Sequence, residues 1–280
     1  MFDAAITYTE RHTLHVLLIA VDAEIVVSRT GQDWEIAQPH PLYSGTKSFW
    51  GIAAAAAAQD GLLDLDEPAG ATINEWPAAA PQAAVTIRQL LTLTGGYGFG
   101  GLGNAVPTPA RALAIPLKNE PGTVFTYGGI PLQIFGEVLR RKVAPAYESP
   151  HAFLTARVLA RIGMTIDRWR RLSDGTHPLP TGAFVAAAQW LRYGHLLLER
   201  GAGVIDPASF AACVTGTPAN PSYGLGLWLV WRDGELAALY AGGAGGQGLY
   251  VLPARRIVAV HFGQSDSWNH AAFLKRLETG

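Results

Sequence analysis

Pro41-Leu42-Tyr43-Ser44-Gly45-Thr46-Lys47-Ser48-Phe49-Trp50-Gly51-Ile52, running on into the alanines of Ala53–Ala58, is the stretch on which the reading of this chain turns. An extended lead-in containing Pro39 and Pro41 feeds a helix that starts at Gly45 and closes near Gly61. Alanine has high helix propensity and lets neighbours approach, so the run predicts a tightly packed, buried helix. Ser44 and Lys47 stand three residues apart at its start, one turn along the same face, where an amine reaches a hydroxyl oxygen. A hydroxyl is a poor nucleophile until a base removes its proton, and a lysine is that base only where its pKa is depressed. A helix N-terminus supplies positive surroundings, and its free N–H groups also stabilise an oxyanion. A solvated lysine fits poorly on a helix whose remaining residues are almost all apolar. Ser44 and Lys47 are therefore the candidate nucleophile and base.

Working outward, the N-terminal side reads as a hairpin, His12 to Ala20 and Glu24 to Arg29, with Asp22-Ala23 as its turn. The middle of the chain alternates helices with Gly/Pro-rich loops. Helical spacing is expected over Thr86 to Leu93, Ile130 to Lys142 and Thr181 to Leu198. Past residue 220 the period changes to that of strands: Tyr223 to Trp231, Glu235 to Ala241, Gly248 to Leu252 and Ile257 to Phe262, with a tight turn at Asp233-Gly234 and a last helix over Asn269 to Leu277. The pattern predicts an α+β fold, with an antiparallel sheet built from both chain ends and flanked by helices. Residues 1–60 and 211–280 are assigned to the sheet domain and 61–210 to a mainly helical inserted domain, with a site expected in the cleft between them.

Composition narrows the partners. Hydrophobic residues make up 49% of the 280, charged residues 15%, and the formal net charge is −1. That balance argues against a nucleic-acid or anionic-membrane partner. Cys213 is the only cysteine, so neither a disulfide framework nor a thiolate metal site is expected. Met1-Phe2-Asp3-Ala4 lacks a basic signal-peptide start, and Val16 to Val21 is too short to span a bilayer, so a cytoplasmic chain is expected. Gly96-Tyr97-Gly98-Phe99-Gly100-Gly101 and Gly243-Ala244-Gly245-Gly246-Gln247-Gly248 both fit G-x-G-x-x-G, yet neither follows a strand and opens a helix, as dinucleotide binding requires. His12 and His15 in one strand point to opposite faces, so they read as surface histidines rather than a metal pair. No metal and no cofactor are expected.

Ser44-Gly45-Thr46-Lys47 is the S-x-x-K pattern of class A β-lactamases and penicillin-binding proteins. Further stretches resemble the broader β-lactamase-related serine hydrolases in the same order: Leu63-Asp64-Leu65-Asp66-Glu67-Pro68, Val85 to Thr92, Glu120 to Tyr127, and Gly242-Gly243-Ala244-Gly245-Gly246-Gln247. That family includes class C β-lactamases, D-aminopeptidases, carboxylesterases and acyltransferases. The resemblance spans residues 40 to 262 and implies that Tyr127 is the tyrosine sharing proton transfer with Ser44 and Lys47. It also implies an oxyanion hole from the backbone N–H groups of Ser44 and Ala244. Two departures stand out. Relatives carry Asn or Ser two residues after the tyrosine, where this chain has Gly129. Lys or His opens their third motif, where this chain has Ala241-Gly242-Gly243. Substrate contacts are expected from Gly129, Gly242, Gly243 and Gln247, with Tyr97 and Phe99 against an apolar acyl group and Lys118 or Arg255 as further polar candidates.

The resulting expectation is a serine hydrolase that forms an acyl-enzyme on Ser44 and acts on a small-molecule ester or amide. The missing third-motif cation favours a neutral ester over a penicillin. The alternatives are an acyltransferase of the same fold, or a catalytically impaired protein that binds or senses a ligand.

Overall fold

The computed structural model describes residues 1–144 and 146–280. β1 (Leu14–Val21) and β2 (Glu24–Thr30) pair antiparallel. Their connection, Asp22-Ala23, has φ of 48° and 70°. Positive φ at both turn residues belongs to the type I′ hairpin, whose twist matches that of the flanking strands. β3 (His40–Pro41), β4 (Arg168–Trp169) and β5 (Ala183–Val185) make a small sheet in the order β3-β5-β4. β6 (Trp228–Arg232), β7 (Glu235–Gly242), β8 (Gly248–Leu252) and β9 (Ile257–Gly263) complete the main sheet, in the order β2-β1-β9-β8-β7-β6. Its strands are all antiparallel, and β1 lies against β9 with Leu17 opposite His261. Both chain ends therefore build one sheet, as the strand pattern predicts.

The helices are α1 (Asp3–Glu10), α2 (Ser48–Gln59), α3 (Ile87–Leu91), α4 (Pro109–Leu113), α5 (Ile130–Val143), α6 (Pro150–Leu154), α7 (Ala187–Leu198), α8 (Pro207–Cys213) and α9 (His270–Glu278). They cover both faces of the main sheet. Leu17 and Ile19 of β1 join Ala5 of α1 and Phe273 and Leu277 of α9 in one apolar layer. Val16, Leu18 and Ala20 of the same strand join the larger core with α2, α5 and α7. A strand that buries both faces carries no polar alternation, which is why Leu14–Val21 reads as one apolar run. α7 lies within the 61–210 segment but packs directly on the sheet, where Gly194 lets Val258 and Leu249 close on the helix.

The structure corrects three local expectations. The first thirty residues are not a hairpin alone: α1 precedes it, held by Phe2, Ala5 and Tyr8 against the sheet. Eight residues with a weak apolar face carry little helical signal of their own, so tertiary packing decides the element. Thr181 to Leu198 is not one helix; Ala183–Val185 pairs with His40-Pro41 and the helix begins at Ala187. The stretch expected as a strand from Tyr223 bends first, with the Gly224 N–H donating to the Leu227 carbonyl at 2.9 Å, and pairs regularly only from Trp228.

α2 is the centre of this arrangement. Its residues Ser48 through Ala57 are all buried, which makes it apolar on every side, the mark of a helix enclosed by others. Small alanines let α8 and α6 approach it closely. The start of α2 thereby comes to rest between the helical segments and the end of β7.

Candidate active site

Ser44 sits on a single 3₁₀ turn, Tyr43–Lys47, that leads into α2. Tyr43, immediately before it, has φ of 46°, a left-handed conformation costly for a bulky residue and characteristic of functional sites. The turn presents Ser44 half-buried, at a helix start where backbone N–H groups lack intrahelical acceptors. Lys47 is almost fully buried, at 1% exposure. Its Nζ donates to Ser44 Oγ at 2.9 Å and to the Pro180 carbonyl at 3.2 Å, and lies 4.8 Å from the centre of the Tyr127 ring. Among the described residues no carboxylate pairs with it. Burial without a counter-charge pushes its pKa down to about 7.

Tyr127 lies in the loop that enters α5, anchored by the Thr126 N–H donating to the Leu93 carbonyl at 3.0 Å. Burial raises its phenol pKa, and an interaction with the Ser44 hydroxyl partly offsets that rise. Ser44, Lys47 and Tyr127 thus come together from three separate segments, counting the Pro180 backbone that steadies the lysine. The Tyr127 ring stacks on Trp228 at 5.6 Å and 23°, and Trp228 in turn stacks on Tyr240 at 6.1 Å. With Phe125 and Tyr223 they form an aromatic wall beside the serine.

The third motif closes the opposite side. A β-carbon at Gly243 would overlap the Leu42 carbonyl oxygen, so only glycine lets the end of β7 approach the turn that carries Ser44. Ala244 follows at once, starting a short turn. Gln247 braces that turn from behind: its Nε2 donates to the carbonyls of Ala244 (2.9 Å) and Gly263 (2.7 Å), and its Oε1 accepts from the Gly263 N–H at 3.2 Å. With its amide fully engaged and 1% exposed, Gln247 holds the backbone rather than presenting a group to a ligand.

The other expected contact residues divide. A β-carbon at Gly129 would overlap the Gly101 carbonyl oxygen, and its N–H donates to the Gly100 carbonyl at 3.2 Å. The backbone of the 98–101 loop therefore fills the space that a side chain at this position would need. Gly242 faces His270: a β-carbon there would stand 2.9 Å from the imidazole Nε2. Tyr97 is buried at 2% exposure with a hydroxyl that has no hydrogen-bond partner among the described residues, so it lines the interior. Phe99 is 72% exposed at the tip of the same loop. Lys118 packs its stem beside Gly98, and Arg255 donates to the carbonyls of Glu278 and Gly280 at the chain terminus.

Several neighbours of the site escape sequence reasoning. His270 arrives from the first turn of α9; Tyr250 accepts from the Trp268 indole and donates to His270 Nδ1 at 2.7 Å, which leaves Nε2–H directed at the end of β7. No short-range pattern links residues 242 and 270. His15 corrects the reading of His12 and His15 as surface histidines. His15 and His40 are buried and bonded, with His15 Nδ1 donating to His40 Nε2 at 2.9 Å while His40 Nδ1 faces the Pro41 carbonyl at 3.2 Å. Burial lowers both pKa values, that of His40 to about 4. The pair braces the extended segment that delivers Ser44. Among the described residues no three His, Cys, Asp or Glu side chains converge on a metal-sized site, and no helix is long and apolar enough to cross a membrane.

A helix-borne serine and lysine joined by a tyrosine, on an antiparallel sheet closed by its two chain ends, define a class of protein, and the chain belongs to it: residues 9–278 match the family described as Beta-lactamase. Among solved structures, a putative beta-lactamase from Bacteroides dorei DSM 17855 superposes with a TM-score of 0.84 at 15% identity, covering 99% of this chain and 97% of that one. A putative 6-aminohexanoate-dimer hydrolase from Bacillus anthracis gives 0.80 at 19% identity, over 98% and 80% of the two chains. EstCE1, described as a hydrolase with promiscuous acyltransferase activity, gives 0.79 at 15%, over 99% and 96%. At such identities the likeness is one of fold. No curated protein matches the chain in sequence.

Proposed function

We propose that this protein is a serine hydrolase that transfers the acyl group of a small ester to Ser44 and then to water. The observation that carries the reading is Lys47: a buried amine with no carboxylate partner among the described residues, 2.9 Å from the serine oxygen and with its pKa held near neutrality. At pH 7 a large fraction of it is neutral, and a neutral Nζ accepts the Ser44 proton as Oγ attacks the ester carbonyl. Positioned proton transfer of this kind contributes about 10²–10⁴ in rate. The tetrahedral oxyanion is held by the N–H groups of Ser44 and Ala244, each such donor contributing about 10²–10³. As the intermediate collapses, Tyr127 delivers a proton to the departing alkoxide and is reprotonated from Lys47. Water then attacks the acyl-enzyme with the same pair as base, and the acid leaves.

Neutral or apolar esters suit the half-buried aromatic wall of Phe125, Trp228 and Tyr240, whose faces stack on apolar groups. The same wall supports a second reading, transfer to an alcohol acceptor, because an apolar alcohol would compete there with water. The test is initial hydrolysis of p-nitrophenyl butyrate by the wild type and by Ser44→Ala, with intact mass recorded alongside. Loss of at least about 10³ in kcat on removing the nucleophile is expected, with an acyl adduct on the wild type only. Equal rates in the two proteins would remove Ser44 from the mechanism. Added butanol that diverts product from acid to butyl ester would favour transfer.

A further inference from the structure

The turn Ala244–Gly246 that follows β7 is pinned from behind at each of its carbonyls. The Ala244 carbonyl accepts from Gln247 Nε2 at 2.9 Å, the Gly245 carbonyl from the Ser265 N–H at 3.0 Å, and the Gly246 carbonyl from His261 Nδ1 at 2.7 Å. Just before the turn, the Gly243 N–H donates to the Gln247 carbonyl at 2.8 Å. Between these anchors the N–H of Ala244 has no acceptor among the described residues. Gly245 and Gly246, with φ of 75° and 95°, supply the left-handed backbone that the turn needs.

His261 is the anchor that core packing does not explain. It lies fully buried on β9, an interior strand, with its ring stacked on Trp268 at 3.8 Å and 4°. A carbonyl only accepts, so Nδ1 carries the proton and Nε2 is left as a buried acceptor, with no partner among the described residues. An unmet buried polar atom costs stability that a leucine in its place would not. Burial also pushes the imidazole pKa down to about 3, so the ring stays neutral, with its one donor, while Lys47 titrates near 7. The Trp268 ring closes over Gly246 as well, where a β-carbon would stand 2.8 Å from it. Imidazole, indole and turn are packed as one unit.

We propose that His261 is a positioning residue: through the Gly246 carbonyl it fixes the turn so that the Ala244 N–H is set toward the oxyanion formed at Ser44. The proposal rests on the hydrolase reading above and adds a residue to it. An oxyanion hole works through donors that are fixed before charge develops. Without the Nδ1 donor one carbonyl of the turn is free, and the Ala244 N–H has to be aligned during the reaction. The loss falls on the oxyanion and not on the bound ester.

The experiment follows p-nitrophenyl butyrate turnover, per folded site, and the binding of butylboronic acid, whose adduct with the Ser44 oxygen is tetrahedral and anionic. Wild type is compared with His261→Leu and with His261→Asn, whose amide nitrogen stands where Nδ1 stood. His261→Leu should lower kcat by about 10-fold with KM within about twofold, part of the roughly 10²–10³ that outright loss of such a donor costs. It should weaken butylboronic acid by the same factor and leave ester binding to Ser44→Ala as it is. His261→Asn should recover most of both losses. An unchanged kcat, a kcat loss without weaker boronic-acid binding, an equal loss in ester binding, or an asparagine variant no better than leucine overturns the proposal. His261→Gln, with its amide one bond further out, carries the same comparison if the leucine variant does not fold. If no ester is hydrolysed but the boronic acid binds at Ser44 and weakens with His261→Leu, the positioning role stands and the hydrolase reading falls. If the boronic acid does not bind the wild type, both fall.

Discussion

Lys47 at the start of α2 and Glu137 on α5 are both charged groups removed from water, and the fold treats them in opposite ways. Glu137, with 11% side-chain exposure, lies between Arg140 and Arg141, both at 2.7 Å. Burial by itself would raise its pKa, and the two guanidiniums outweigh it and hold the carboxyl below its ordinary value. Arg141 is shared with Glu75, so α5 is tied to the loop after α2 through a closed charge network. Lys47 has a hydroxyl, a carbonyl and a ring around it, and no anion among the described residues. A paired buried charge stays ionised and organises structure. An unpaired one loses its charge near neutral pH, which is what the proposed role of Lys47 as a proton carrier requires.

The most severe way to break this contrast is to remove the amine. Lys47→Met should lower kcat for p-nitrophenyl butyrate by about 10³ or more. It should also stabilise the protein by about 2 kcal/mol in urea denaturation, since an uncompensated buried cation is replaced by an apolar side chain of similar length. A variant that loses both activity and stability would mean that Lys47 is structural. In the wild type, log kcat/KM should climb with pH through about 7, because the neutral amine is the active form, and level off above it. A profile flat from pH 5 to 9 would count against the amine as base.

Tyr127→Phe sharpens the picture at the next level. The aromatic wall keeps its stacking while the phenol proton is lost, so kcat should fall by about 10–10² with KM little changed. An effect on KM alone would reassign Tyr127 to the wall.

Acid tests another set of buried groups. His40 and His270 are lowered to about 4 and His151 and His261 to about 3, each mainly by burial. The unfolded chain, with histidines near 6.5, therefore binds more protons than the folded one between those values. Stability is full above about pH 6.5 and falls as pH drops toward 4, with a slope of about 1.4 kcal/mol per pH unit for each histidine kept neutral. Urea midpoints at pH 7 and pH 5 measure it; a higher midpoint at pH 5 would contradict the assignment. The smallest effect is expected at the strut. Glu137→Gln should cost about 1–3 kcal/mol by leaving Arg140 without its carboxylate, while ester turnover stays within about twofold.

How far the sequence reaches can be judged from particular residues. The i, i+3 spacing places Ser44 and Lys47 on one turn, and the apolar run behind them signals burial; both are local facts. The strands of the sheet are legible because period and turn chemistry agree at Asp22-Ala23 and Asp233-Gly234. Trp228 shows where legibility ends. Counting back from the turn at 233–234, it would face Leu239, but a bulge between Val230 and Trp231 shifts the register so that it pairs with Tyr240. That one-residue shift carries it onto the face where Tyr240 and Tyr127 lie, and no residue type announced it. His270 and the His15–His40 contact are hidden for the same reason, being meetings across long stretches of chain.

The sequence by itself determined the fold class and that Ser44 and Lys47 share one turn, since these are written in spacing and propensity, while Tyr127 was singled out by the resemblance of an ordered set of motifs. Tertiary structure alone decided that Lys47 has no counter-ion among the described residues and has its pKa pushed down to about 7, that the 98–101 backbone occupies the space beside Gly129, and that arginines from two distant segments line one cavity. Charge state and free space depend on every group within a few ångströms, and those groups come from parts of the chain that the sequence leaves far apart.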